Sequence, residues 1–419
     1  MRKVHLLTIV FILLFTISGT VAADVVLDWN NTALGAIKTS LFTSVKVSRT
    51  LAMVHVAMYD AVNSIEQTHE PFYVWLSAPD GDISTDAAAA MAAYGVLAGL
   101  FPEQIATLDA ALADSLAAIP DGDAKAMGMQ LGELVASGVL LIREKDGSDA
   151  MVPYTPGTEP GDWRPTPPNY LPAMMPHWAD VTPFAMEDGA QFRKTSPPRL
   201  SSRSYANAVN QVKAIGAKNS SVRTMEQTMI ANFWADMPGT ETTVGRWNLV
   251  AQDVAVAHGN TLSENARLFA LLNVALADAG ISAWDFKFHF NLWRPVTAIR
   301  EADTDGNKFT DPDPAWEPLL MTPAFPEYVS AHSTFSAAAA QMLASYFGRN
   351  NVTFTIDPFM MMGMSMEPRT YTSFSDAALE AGASRIYGGI HYLFSNVDGL
   401  NAGRSISNYV WQNFMRPVR

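Results

Sequence analysis

Three short stretches decide how this chain is read: residues 284–295 (WDFKFHFNLWRP), 325–340 (FPEYVSAHSTFSAAAA) and 383–392 (ASRIYGGIHY). All lie in an apolar, Ala-rich region, and each carries basic or hydroxyl side chains. The core motifs are Lys287 with Arg294-Pro295, then Ser330-Ala331-His332, then Ser384-Arg385 with His391. None of these cores contains a carboxylate. Such an inventory suits a tetrahedral oxyanion such as phosphate or vanadate. Guanidinium and ammonium groups neutralise its charge, while a hydroxyl and backbone N–H groups complete its hydrogen bonds. Burying two arginines, a lysine and two histidines around no anion would be costly.

The spacing inside each stretch has its own geometry. Lys287 and Arg294 are about two helical turns apart, which predicts one helix with both on one face and Trp284 nearby. Ser330, Ala331 and His332 precede an apolar run that ends at Gly348. That pattern predicts a loop feeding a helix N-terminus, where free N–H groups and the helix dipole attract an anion. Arg385 and His391 are poorly spaced for one helix face. Gly388-Gly389 between them predicts a break that turns both toward one point.

Outward from the motifs, the chain reads as all-α. Residues 86–141 are Ala- and Leu-rich with helical spacing, broken at Pro102 and at Pro120-Asp121-Gly122. Residues 204–279 return to that periodicity, and strand-like alternation is scarce. Between them, residues 152–198 are rich in Pro and Trp and predict a long irregular segment, either functional or a packed cover. The architecture expected is packed helical bundles with the motif helices meeting at the core. The sequence discloses no internal repeat.

At the N-terminus, Arg2 and Lys3 precede an apolar run over residues 6–17 and small residues ending at Ala23. Residues 1–23 read as a signal peptide, so export to the periplasm or the medium is expected, with residues 24–419 as the folded unit. No later segment is expected to approach the length and apolarity of a membrane span, or to insert stably in a membrane. With 28 Lys+Arg against 41 Asp+Glu, the net charge is −13, which excludes nucleic acid as an expected partner. The basic motifs are thus a local exception in an acidic protein. There is no cysteine, hence no disulfide framework and no thiolate chemistry.

The order K-x6-RP, a P-S-G-H-like motif and SR-x5-H resembles the vanadium-dependent haloperoxidases, which share an active site with the type 2 phosphatidic acid phosphatase superfamily. Lys287 with Arg294-Pro295, and Ser384-Arg385 with His391, match fully. In the middle motif Val329 and Ala331 replace the family's Pro and Gly, while Ser330 and His332 are kept. WNNTALGAI and SRTLAMVHVAMYDAV near the N-terminus resemble the family less specifically.

The resemblance implies two related helical bundles in one unit and a vanadate cofactor with His391 as its axial ligand. It implies that Lys287, Arg294 and Arg385 bind the oxyanion, together with the Ser330 hydroxyl and the Ala331 N–H. His332 is then the acid–base residue, and Trp284 and Phe325 line the halide side of the cavity. The implied reaction is oxidation of halide by hydrogen peroxide to hypohalous acid. The alternative is a phosphatase acting on a phosphate ester through a phosphohistidine at His391. A third reading is an oxyanion-binding protein with little turnover. Family members often carry Asp four residues after the axial His; here Ser395 stands there, with Asp398 out of register. The missing carboxylate counts against a nucleophilic His391.

Other candidates read as structural. His55 in MVHVAMYDAV, and likewise His258 and His289, suit hydrogen-bonded positions in the fold. His177 suits a loop role. Residues 303–307 (DTDGN) resemble the start of a calcium loop, but Pro314 takes the place of the acidic residue due at loop position twelve, so a solvated turn is expected. Met360, Met361, Met362, Met364 and Met366 suit loop packing better than thioether binding of copper.

Overall fold

The computed structural model describes residues 24–78, 81–235, 239–358 and 366–418. The signal peptide expected over 1–23 lies outside them. So do Met360, Met361, Met362 and Met364; Met366 packs at the edge of the core.

The described chain is helical apart from loops and one two-stranded hairpin, Phe354–Ile356 with Arg369–Tyr371. The helices of the first half are α1 (Val25–Ser40), α2 (Ser44–Glu66), α3 (Thr85–Leu100), α4 (Ile105–Ala117) and α5 (Asp123–Arg143). Then come α6 (Arg203–Ile215), α7 (Met225–Phe233), α8 (Thr242–His258), α9 (Leu262–Phe290) and α10 (Pro295–Arg300). The last are α11 (Ala331–Tyr346), α12 (Phe374–Tyr387) and α13 (Leu393–Asn413). Local chemistry sets their starts. Asp24, Ser84, Ser202, Ser330 and Ser373 cap helices with their side chains. Thr261 and Glu264 form a reciprocal capping box at the start of α9.

α9, 29 residues long, is the axis of the fold. It packs against α2 on one side and α11 on another. Among the described residues two helices, α5 and α9, are long and apolar enough to cross a membrane by length and composition, which corrects the expectation that no segment after the leader would be. In α9 that apolar character serves the protein core: 94% of its most apolar window is buried. In α5 only 33% is, and Leu134, Leu141 and Ile142 are exposed.

The structure also brings out a repeat that the sequence does not disclose. Trp29, Asn30, Arg49, His55 and Asp60 of α1 and α2 recur as Trp247, Asn248, Arg267, Asn273 and Asp278 of α8 and α9 at one constant separation. Equivalent residues do equivalent work. Asn30 bonds His55 at 3.1 Å, and Asn248 bonds Asn273 at 2.9 Å. Asp60 accepts the N–H groups of Phe72, Tyr73 and Val74; Asp278 accepts those of Phe184, Ala185 and Met186. Further along, α5 lies on α3 through Gly128 and Gly132, and α13 lies on α11 through Gly399 and Gly403. At all four, a methyl group would collide with the partner helix backbone, at Ser84, Ala88, Ser330 and Thr334 respectively. The close approach of α13 to α11 sets the first turn of α13 beside Ser330, whose N–H donates to the Ser395 carbonyl at 3.2 Å.

The irregular segment over 152–198 is a packed cover. Trp163 N–H donates to the Asn291 carbonyl at 2.7 Å, Trp293 N–H to Gly161 at 2.8 Å, and Met174 N–H to Ala324 at 2.7 Å. It thereby clasps the loops that carry Arg294 and Phe325.

Candidate active site

Lys287 and Arg294 do not share a helix, contrary to the sequence expectation. α9 ends at Phe290, Asn291 takes a left-handed conformation (φ 49°), and Arg294 is extended (φ −77°, ψ 155°) as the cap of α10. The physical reason is Pro295: its ring disfavours helical geometry in the residue before it. The turn leaves Lys287 on α9 and swings the Arg294 side chain toward His391.

At the second motif Ser330 is the N-cap of α11, and its Oγ accepts the Ser333 N–H. Ala331 and His332 therefore occupy the first turn, where N–H groups lack helical partners. At the third, α12 closes at Gly388 and Gly389 is left-handed (φ 79°), so Arg385 ends one helix while His391 precedes the next.

These elements bring the motif residues together. Arg294 Nε donates to Phe325 O at 2.8 Å and Nη1 to Ile390 O at 2.9 Å; Nη1 also lies 3.3 Å from His391 Nε2. Its Nη2 is buried with no hydrogen-bond partner. Arg385 Nη1 donates to the Trp234 carbonyl at 3.1 Å, and His332 Nε2 lies 3.0 Å from the same oxygen, so one backbone carbonyl orients both side chains. The Lys287 ammonium donates to the carbonyls of Pro326, Glu327 and Val329. It therefore props the Ser330 loop from beneath. Trp284 and Phe325 pack ring to ring at 4.9 Å, and Lys287 and Arg294 lie 5.0 and 4.8 Å from the Phe325 ring.

Sequence reasoning missed Glu327. This carboxylate is fully buried three residues before Ser330. Its Oε1 lies 2.8 Å from His391 Nδ1 and accepts the Tyr392 N–H at 3.0 Å; its Oε2 accepts the Ser395 hydroxyl at 3.0 Å. Arg294 Nη1, a donor, faces His391 Nε2, so Nε2 is the acceptor and Nδ1 carries the proton. The absence of Asp at position 395 is thus no loss of a carboxylate partner for His391, which corrects the argument drawn from that departure. Asp398 holds Tyr328 instead, at 2.8 Å. The available signal was an acidic residue inside the apolar stretch FPEYV.

The electrostatics follow from burial. Burial first, then Arg294, Lys287, Arg385 and His332, hold His391 well below the usual imidazole range, so it is neutral. Burial, with Arg294 adding to it, pushes the Lys287 ammonium well down, and Glu327 pulls it back. Burial lowers Arg294 to about 9, which leaves it cationic at neutral pH. Burial raises Glu327 to about 7 against the pull of the Tyr392 N–H, Arg294, Lys287 and Ser395. An anion in the cavity would relieve the strain on all three cations.

The remaining candidates lie elsewhere. His55 is buried against Asn30 and Phe269, and burial lowers it to about 3. His177 bonds the Ser148 carbonyl, His258 packs edge-on to Phe347, and His289 packs on Phe290. The turn at 303–307 is solvated, as expected, at Asp303, Thr304 and Gly306, but not at its other two positions. Asp305 and Asn307 are buried because they tie Thr310 and the carbonyls of Leu200 and Ser202 together.

The family model of the VCPO second helical-bundle domain matches residues 267–419, which hold every motif residue above. A bacterial vanadium-dependent iodoperoxidase of known crystal structure superposes with a TM-score of 0.81, at 27% identity, over 96% of this chain and 100% of that one. Along its length the chain is similar to the vanadium-dependent haloperoxidases. The vanadium chloroperoxidase of Curvularia inaequalis is 28% identical over 376 residues; the match takes in 72% of this chain but only 61% of that relative, less than two thirds of its length. A holo-type bacterial vanadium-dependent chloroperoxidase shares the fold, with a TM-score of 0.71 at 17% identity over 88% of this chain and 92% of that one. The donor set fits the oxyanion that the family name implies. Lys287, Arg294 and Arg385 are buried and their charges all bear on His391, Arg294 Nη2 has no partner, and His391 Nε2 presents a lone pair. Among the described residues no group of three or more His, Asp or Glu could hold a bare cation.

Proposed function

We propose that this protein is an exported member of the haloperoxidase family, an enzyme that binds vanadate and oxidises halide with hydrogen peroxide, X⁻ + H2O2 + H⁺ → HOX + H2O. One observation carries the reading: His391 Nε2 lies 3.3 Å from Nη1 of Arg294, whose other terminal nitrogen, Nη2, is buried without a partner. A neutral imidazole ligand and a spare guanidinium donor together suit one anionic centre. His391 would hold the vanadate through Nε2, and Arg294, Arg385, the Ser330 hydroxyl and the Ala331 N–H would neutralise and hydrogen-bond it. Lys287 adds its charge and shapes the Ser330 loop; direct contact with an oxygen requires it to release one of its carbonyls.

When bound, vanadate supplies a Lewis-acidic centre that activates hydrogen peroxide toward halide without itself changing oxidation state. His332, fixed by the Trp234 carbonyl, moves the proton that peroxide loses and water gains. Trp284 and Phe325 form an apolar wall where a poorly hydrated halide is held against the cationic floor. The halide assignment draws on the relatives named above, one an iodoperoxidase and one a chloroperoxidase. Export draws on the leader-like residues 1–23.

A second reading has a specific observation in its favour. Glu327 on His391 Nδ1 gives Nε2 the tautomer a nucleophile needs. In that reading Nε2 forms a bond to the phosphorus of a phosphate ester and the P–O bond to the alkoxide breaks. The alkoxide takes its proton from His332, and water then hydrolyses the phosphohistidine. The aromatic bulk of Trp284 and Phe325 beside the anion favours the halide reading. The test is paired, on one preparation: bromination or iodination of a phenolic dye with vanadate and peroxide, and hydrolysis of p-nitrophenyl phosphate without vanadate. Fast halogenation with weak, vanadate-inhibited hydrolysis is expected. Fast hydrolysis with no halogenation at saturating vanadate would establish the phosphatase instead.

A further inference from the structure

The carboxylate that fixes the axial histidine has changed its place in the chain. The family pattern puts it four residues after that histidine, one turn into the helix that follows. Here that position is Ser395, a hydroxyl too short to reach the ring, and it donates instead to Glu327 at 3.0 Å. Glu327 comes from the opposite side, on the loop that also carries Ser330 and His332. Its backbone is pinned there: the Glu327 carbonyl accepts from Lys287 at 3.1 Å, and its N–H donates to the Leu292 carbonyl at 2.9 Å. The Ser395 carbonyl in turn accepts the Ser330 N–H at 3.2 Å. Glu327, Ser395, Ser330 and His391 thus form one hydrogen-bonded frame across two elements.

We propose that Glu327 is the positioning residue of His391, having exchanged roles with position 395, so that the loop bearing the acid–base His332 also sets the tautomer of the ligand His391. Glu327 touches no reacting atom; it acts through Nδ1. The Tyr392 N–H and the Ser395 hydroxyl donate to its carboxylate and Arg294 Nη1 donates toward Nε2, so Nδ1 holds the proton against Glu327 and Nε2 faces Arg294. Removing the carboxylate frees the ring to flip or to take the other tautomer, which presents N–H where a lone pair is needed.

The inference rests on the anion-site reading above for its binding arm, and stands apart from it in its spectroscopic arm. In the vanadate-free wild type, long-range ¹H–¹⁵N spectra of histidine-labelled protein, assigned with His391→Ala, are expected to show His391 as the Nδ1–H tautomer. An Nε2–H tautomer overturns the proposal whether or not vanadate binds. Glu327→Ala is expected to lose that signature and to weaken vanadate binding about ten- to hundredfold, the usual effect of losing such a partner. Glu327→Ala with Ser395→Asp restores the carboxylate from the family's usual position; it is expected to recover the signature and most of the affinity. A double variant no better than Glu327→Ala, with melting temperature and circular dichroism like the wild type, overturns the proposal. So does Glu327→Ala that binds vanadate like the wild type. If Glu327→Ala does not fold, Glu327→Gln carries the same comparison, with Nδ1–H retained through the amide oxygen and affinity reduced less. Wild type that shows the Nδ1–H tautomer but binds no vanadate refutes the anion-site reading and leaves the positioning role supported.

Discussion

Gly399→Ala tests whether the contact between α11 and α13 holds the anion site in shape. A methyl at position 399 would lie 2.8 Å from the Ser330 carbonyl oxygen and 3.1 Å from both Ser333 Cβ and Thr334 Oγ1. An ordinary carbon–oxygen contact is about 3.3 Å, so the first turn of α11 has to retreat by about 0.5 Å. Overpacking of this kind costs about 1–3 kcal/mol, and the better helix propensity of Ala returns about 1 kcal/mol. The net loss of about 0–2 kcal/mol lowers the melting temperature by no more than about 2 °C in a chain of this size. The functional effect is larger, because that turn carries Ser330, Ala331 and His332. If 1 Å of misplacement costs about a hundredfold, half of that costs about tenfold in vanadate affinity and turnover. The control is Gly128→Ala, where a methyl meets the Ser84 backbone in the first bundle. It is expected to destabilise at least as much and to leave vanadate affinity per folded molecule unchanged. The assay is calorimetric melting together with vanadate titration of all three proteins. Gly399→Ala with wild-type affinity, or Gly128→Ala with an equal loss of affinity, would refute the reasoning.

Three further outcomes are expected. His332→Ala should retain vanadate affinity within about threefold while losing about 10²–10⁴ in turnover, since it removes a proton carrier and not the ligand; parallel loss of both in a titration and rate assay would count against its role. Trp284→Ala should lower bromide or iodide oxidation about ten- to hundredfold, chiefly through the halide KM, with vanadate affinity little changed; kinetics at varied halide decide it. Asp278→Ala should destabilise by about 3–6 kcal/mol, since it strands the N–H groups of Phe184, Ala185 and Met186 in the core, and denaturant unfolding against wild type measures it.

Much of the site was legible because it is written in local chemistry. Ser330 ahead of an apolar run announced a capped helix N-terminus, and Gly388-Gly389 announced the turn between Arg385 and His391. The helix end between Lys287 and Arg294 was also written there, in Asn291 and Pro295. Helical spacing masked it, because spacing describes a helix only as far as the backbone remains one. Glu327 was illegible for a different reason. Its partners, Tyr392 and Ser395, are far along the chain, and a buried acid in an apolar stretch has meaning only when its donors are known. The repeat between the two halves stayed hidden because it is kept by a few polar residues, such as Asp60 and Asp278, while the apolar positions between them changed freely. The apolarity of α9 looked like ordinary core periodicity, yet the helix is buried on nearly every side and is therefore also long and apolar enough to span a membrane.

The proposed function requires His391 to tether vanadate. Equilibrium dialysis of wild type and His391→Ala against orthovanadate, with vanadium counted by elemental analysis, measures this. A single vanadium retained per wild-type chain, and none by a folded His391→Ala, is expected. Wild type that retains no vanadium, or a His391→Ala variant that retains as much as wild type, would rule the tether out.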